Sequence, residues 1–109
     1  ARMLVAEDAG LLAEVIDVSL EELPRQVEAL RQAIGHRDAP TAQRLAHTLK
    51  GTAGTLGATQ LHQAAYAVEH AAEDADMARA GDELGGLRSL VIRLCSELDA
   101  YRAPTVIGS

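Results

Sequence analysis

Tryptophan and phenylalanine are absent from this sequence, and Tyr66 and Tyr101 are its whole aromatic complement. A core without other rings has to be assembled from Leu, Val, Ile and Ala, a mixture better suited to packed helices than to pleated sheets. Cysteine occurs once, at Cys95, so no internal disulfide can form, and a lone thiol is compatible with a reducing compartment. Basic residues are also scarce: 10 Lys and Arg stand against 16 Asp and Glu, for a formal net charge of -6. No positive stripe is available to meet a phosphate backbone, which excludes nucleic acid as an expected partner. Nor does any apolar run approach the roughly 20 residues that span a bilayer, and there is no basic-then-apolar leader pattern. The expectation is a cytoplasmic domain that does not insert into membranes.

What is present is helical periodicity in a chain of 109 residues, enough for one small core. Leu12, Ile16, Leu20, Leu23, Val27, Leu30 and Ile34 recur at steps of three and four, as one continuous apolar stripe. Pro24 interrupts it, and "SLEE" (Ser19 to Glu22) reads as a capping box, so the spacing predicts a kinked helix or two abutting ones. In "GHRDAPT" (35–41), Gly35 reads as a C-terminal cap, Asp38 or Thr41 as an N-cap, and Pro40 as a helix entry.

A helix from about 40 to 56 follows and ends at Gly57; Thr59 then caps a third helix with Leu61, Ala64, Ala65, Val68, Ala71, Ala72 and Ala75 inward. After the polar "EDADMARAGDE", a last helix carries Leu84, Leu87, Leu90, Val91, Leu94, Leu98 and Tyr101 on one side, with Gly85 and Gly86 weakening its start. These elements predict an all-α, antiparallel four-helix bundle over residues 1–103. The closing "RAPTVIGS" makes 104–109 an expected linker or appended tail, and the whole an expected domain cut from a longer protein.

The stretch "HTLKGTAGTLGA" (47–58) carries the chemistry. As a helix, it places Ala42, Leu45, Ala46, Leu49, Ala53 and Leu56 in one inward arc centred near Leu49, and His47 roughly 160° from that centre. Gly51 and Gly54 share the outward face with His47, where each exposed helical glycine costs about 1 kcal/mol relative to alanine. Helical side chains lean toward the N-terminus, so a side chain at 51 would cover the imidazole; its absence opens space, and Gly54 extends the clearing. Lys50 and Arg44, each three residues from His47, supply cations. An exposed imidazole with cations beside it and bare helix above it suits a nucleophile that accepts a bulky, doubly charged group such as phosphoryl. A phosphate-binding loop is excluded, because Lys50 precedes the glycines and the upstream segment is helical rather than a strand.

"AHTLKGTAGTLGA" resembles the active-site segment of histidine-containing phosphotransfer (HPt) domains, and the resemblance in length and helix order covers most of the chain. Gly54 stands where family members more often carry another small residue, and Thr55 where an amide is common. The resemblance implies that His47 is the phosphoacceptor, that Lys50 stabilises the phosphoryl group and that Gly51 gives access. It further implies a reaction in which a receiver domain carrying an aspartyl phosphate docks, the neutral imidazole attacks in line, and the phosphoryl group later passes to another receiver. No cofactor is expected in this domain; the Mg²⁺ would belong to the receiver. The isolated domain is expected to be a monomer with no kinase motif of its own, either the cytoplasmic part of a hybrid sensor kinase, membrane-bound forms included, or a relay intermediate.

The alternative is the phosphoacceptor domain of a chemotaxis-type histidine kinase, phosphorylated from ATP by a separate catalytic domain. A kinase dimerisation domain fits less well, since Thr48 rather than an acidic residue follows His47 and no proline comes soon after. A purely structural bundle that binds a partner helix is the reading without chemistry.

Counting about 1.5 Å per residue back from the turn, an antiparallel third helix passes His47 at residues 66 to 69, which makes Tyr66 and Glu69 its expected neighbours and Gln63 a more distant one. With Arg44 and Gly54, they form the expected partner-binding set. His62 and His70 are eight apart, too far to share one zinc, and read as solvated. His36 reads as a helix-end residue favoured by the dipole, and Cys95 as a small hydrophobe.

Overall fold

A computed structural model describes the backbone from Arg2 to Ile107, and side chains for residue 14 and residues 16–100. Leu12 and Tyr101, both expected on apolar stripes, lie outside the described side chains. The chain forms α1 (Arg2–Gly35), α2 (Ala39–Leu56), α3 (Thr59–Glu73) and α4 (Met77–Ile107), with no strand among the described residues. Each helix packs on its neighbours in sequence, most extensively α2 on α3, and α4 closes the ring against α1. This is the expected antiparallel four-helix bundle.

Its core is aliphatic. Leu23, Leu30, Leu49, Leu61, Leu87 and Val68 are fully buried, and burying each stabilises the fold by roughly 1.5–3 kcal/mol. The buried residues of α2 and α3 are mostly alanines: Ala42, Ala46 and Ala53 on one helix, Ala65, Ala71 and Ala72 on the other. Such short side chains let two helices approach closely, so groups at the edges of the seam come within reach of each other.

The three connections share one design. The chain leaves α1 through Arg37 (φ 58), α2 through Gly57 (φ 69) and α3 through Ala75 (φ 56), all left-handed. The following N–H then reaches back into the finished helix: Asp38 to Ala33 O, Ala58 to Ala53 O and Asp76 to Ala71 O, each at 2.9 Å. That following residue begins the next helix. Asp38 accepts from the Thr41 N–H at 3.3 Å and from its hydroxyl at 2.7 Å, while Asp76 accepts from the Arg79 N–H at 3.1 Å.

Several expectations are corrected. Of the two outcomes expected at Pro24, the abutting pair is not found: α1 runs as one helix across the proline. A proline inside a helix costs roughly 3 kcal/mol, but Leu23, Val27 and Leu30 on either side are held in the core and Pro24 faces outward. The left-handed cap of α1 is Arg37, not Gly35, which stays in the helix. Ala58 rather than Thr59 is the N-cap of α3, without a side-chain bond. Ala75 is not on an inner face but is the exposed left-handed residue after α3. α4 begins at Met77, so Gly85 and Gly86 lie inside it, beside the buried Leu84 and Leu87. Its backbone is helical through Ile107, into the residues expected as a linker or tail.

Candidate functional site

α2 places its residues as the periodicity requires. Ala42, Ala46, Leu49 and Ala53 are buried, and His47 stands on the opposite side with its side chain 67% exposed. The helix is fixed from within by its core face, so the imidazole has a defined mount although nothing covers it.

Glu69 of α3 reaches across the seam to the site. Its Oε2 lies 2.8 Å from His47 Nδ1 and its Oε1 lies 2.8 Å from Lys50 Nζ. The glutamate side chain is only 13% exposed, so this fork is largely withdrawn from water. Lys50 is the sole partner of Oε1, which accepts no other hydrogen bond from the described residues. Burial pushes the Glu69 carboxyl upward, but the ammonium of Lys50 and the ring of His47 outweigh it, and the group is held below the usual carboxylate range.

An ionised carboxylate only accepts, so Nδ1 carries the ring proton and donates it to Oε2. Nε2 therefore keeps its lone pair in the neutral ring and has no protein partner among the described residues. A buried carboxylate that fixes the tautomer and compensates charge developing on the ring is the arrangement that activates a histidine for attack.

Space above the ring is open. A Cβ built on Gly51 would meet nothing within 4 Å. Gly54 differs: a Cβ there would meet His62 Cδ2 at 3.6 Å, so the clearing narrows against α3 one turn beyond Gly51. Along the same helix, the hydroxyls of Thr48, Thr52 and Thr55 donate to the carbonyls of Arg44, Thr48 and Gly51, folding back rather than projecting outward. Gln26 of α1 donates to Thr52 Oγ1 at 3.4 Å, a link to α1 that no sequence pattern announced.

Of the residues singled out in the sequence, His47, Lys50 and Glu69 come together, with Gly51 beside them. Tyr66 is 53% exposed, and the Lys50 ammonium lies 5.3 Å from the centre of its ring. Arg44 has no contact with the imidazole; it is exposed, and its charge is felt at Asp38 instead. Glu69, expected at a partner-binding surface, is mostly buried and ties His47 to Lys50. The antiparallel residue count brought it to the right level, but nothing in the sequence said that it would serve both neighbours.

His70 is not merely solvated, since its Nδ1 lies 3.3 Å from an Arg79 guanidinium nitrogen and 3.6 Å from Asp74 Oδ2. Cys95 is partly buried against the core, and burial pushes its thiol upward. Among the described residues, no cluster of His, Cys, Asp and Glu could hold a metal ion, and no helix is long and apolar enough to cross a membrane.

A family model described as the Hpt domain matches residues 14–103. No curated protein and no solved structure matches the chain.

Proposed function

The chain belongs to the Hpt domain family, and from that membership we propose that His47 accepts a phosphoryl group from the aspartyl phosphate of one receiver domain and passes it to another. Hpt domains are histidine phosphotransfer modules of two-component phosphorelays, and they interact with receiver domains. The observation that carries the assignment to His47 is the Glu69 fork, which accepts from Nδ1–H, keeps the ring proton on that nitrogen and leaves Nε2 bare.

The Nε2 lone pair attacks phosphorus in line with the bond to the receiver aspartate. The P–O bond breaks, its electron pair leaves with the aspartate carboxylate, and an N–P bond forms. As Nε2 gives up its lone pair, the ring becomes positive while Nδ1 keeps its proton, and Glu69 compensates that charge without moving. Lys50 balances the phosphoryl oxygens, and the bare helix at Gly51 admits them. Transfer to the second receiver runs the same steps in reverse.

The site's own carboxylate is already shared between His47 and Lys50, so it has no spare donors for a divalent cation. The Mg²⁺ that neutralises the phosphoryl group belongs, in this reading, to the receiver. Arg44, Gly54 and Tyr66 border the face the receiver meets. A cytoplasmic setting and a monomeric domain complete the proposal.

The test offers the domain a panel of phosphorylated receivers and, separately, histidine kinases with ATP, and follows label on the protein. Label from receivers, labile to acid and stable to base, and absent from the folded His47→Gln variant, is the expected result. Label from ATP and a kinase alone would replace the relay with the chemotaxis-type reading. Label persisting on His47→Gln would remove the assignment altogether.

A further inference from the structure

Lysine is a poor fixed charge, because a flexible four-carbon stem on an open helix face scatters its ammonium over many rotamers. Lys50 is nonetheless only 22% exposed. Glu69 accounts for one restraint, and the Tyr66 ring, 5.3 Å from Nζ, supplies a second from another direction. Such a distance lies within the roughly 6 Å over which a cation is attracted to an aromatic face.

The ring is itself braced. His70, one turn further along α3, meets it edge-on with centroids 6.0 Å apart and planes at 66°. His70 is fixed in turn from the start of α4, where Arg79 donates to its Nδ1 at 3.3 Å and bridges to Asp74 at 3.7 Å. Tyr66 therefore has a defined orientation in spite of its exposure.

The two restraints on Lys50 differ in kind. Glu69 holds the ammonium by opposing its charge, and that charge is then partly spent before a phosphoryl group arrives. An aromatic face attracts the cation through its quadrupole and neutralises nothing. Building on the phosphotransfer reading of His47, we propose that Tyr66 is a positioning residue for the reaction, holding the Lys50 ammonium beside His47 with its charge available to the incoming phosphoryl oxygens. Although Tyr66 lies at the border of the receiver-facing surface, its contribution to the rate runs through the lysine.

Single-turnover phosphorylation of His47 should be measured with two donors: a phosphorylated receiver, which must dock, and phosphoramidate, which need not. Tyr66→Leu is expected to lower the limiting rate roughly threefold with both donors, the size of a partly exposed cation–π contact. The half-saturating receiver concentration should stay unchanged. Tyr66→Phe keeps the ring face and should restore the rate. In a Lys50→Met background, Tyr66→Leu should have no further effect, since residues acting through one group are not additive.

A raised half-saturating receiver concentration with a normal phosphoramidate rate would make Tyr66 a docking residue and overturn the proposal. So would an undiminished limiting rate, or a full Tyr66→Leu effect without Lys50. Absence of label on wild-type His47 from either donor would defeat the phosphotransfer reading itself, and this proposal with it. Tyr66 is half exposed, so the substitutions should leave the fold intact, which circular dichroism checks.

Discussion

His47 and His70 are both exposed, on adjacent helices, and each has a carboxylate near its Nδ1 and a cation paired with that carboxylate. They differ in what those partners do. Glu69 is 13% exposed and accepts a hydrogen bond from Nδ1–H of His47, which leaves Nε2 with a free lone pair. Asp74 is 53% exposed and stands off at 3.6 Å, while Arg79, which can only donate, occupies the Nδ1 lone pair of His70. The residue four positions on, whose side chain leans back over the ring, is Gly51 for His47 and Asp74 for His70. An imidazole beside an acid is common. A reactive one needs the acid withdrawn from water, the right proton in place, and nothing overhead.

The strongest way to break this comparison is to spoil the acids. Glu69→Gln can offer its amide hydrogens to Nδ1 and so favour the tautomer with its proton on Nε2. Transfer should fall on the order of a hundredfold, while Asp74→Asn leaves the rate within about twofold of wild type, as read by single-turnover labelling. Equal rates for Glu69→Gln and wild type would deprive the buried fork of its role.

Filling the overhead space comes next. Gly51→Leu should slow transfer roughly tenfold by displacing the phosphoryl group. The same change should raise stability toward denaturant by about 1 kcal/mol, because a helical glycine is replaced where nothing stands in the way. Loss of activity together with loss of stability would point to a packing role for the glycine instead.

The smallest effect is electrostatic and sharpens the contrast in burial. The Glu69 carboxyl titrates below its ordinary value of 4.5 in the folded protein, held there by Lys50 and His47 against the upward push of burial. A lowered folded value means stability that is complete above the unfolded carboxyl's titration and fades as pH falls through the folded one. The stability difference between wild type and Glu69→Gln should therefore shift in favour of wild type between acid and neutral pH. Denaturant titrations of both proteins from pH 2 to pH 7 measure this; parallel curves would contradict the fork's ionised state.

Much of the bundle was legible because helical periodicity is a local property. The inward arc of α2, from Ala42 through Leu49 to Ala53, and the outward direction of His47 follow from one angle per residue. Gly57 was readable as a helix stop for the same reason. Arg37 and Ala75 were not, although they do the same work, because neither residue type advertises a left-handed conformation. Each holds it through the bonds that close its turn. Pro24 left two outcomes open, a kinked helix or two abutting ones; α1 stays one helix because Leu23, Val27 and Leu30 are held in the core and that packing outweighs the local penalty.

The chain's order of residues thus settled by itself that there would be four amphipathic helices, and that one imidazole would face outward over bare glycine. Which acid meets that imidazole, and that the same acid also grips Lys50, was decided only when α2 and α3 packed. The distance between Glu69 and His47 depends on how closely alanine faces let two backbones approach and at what register. That is a property of the pair, contained in neither helix alone.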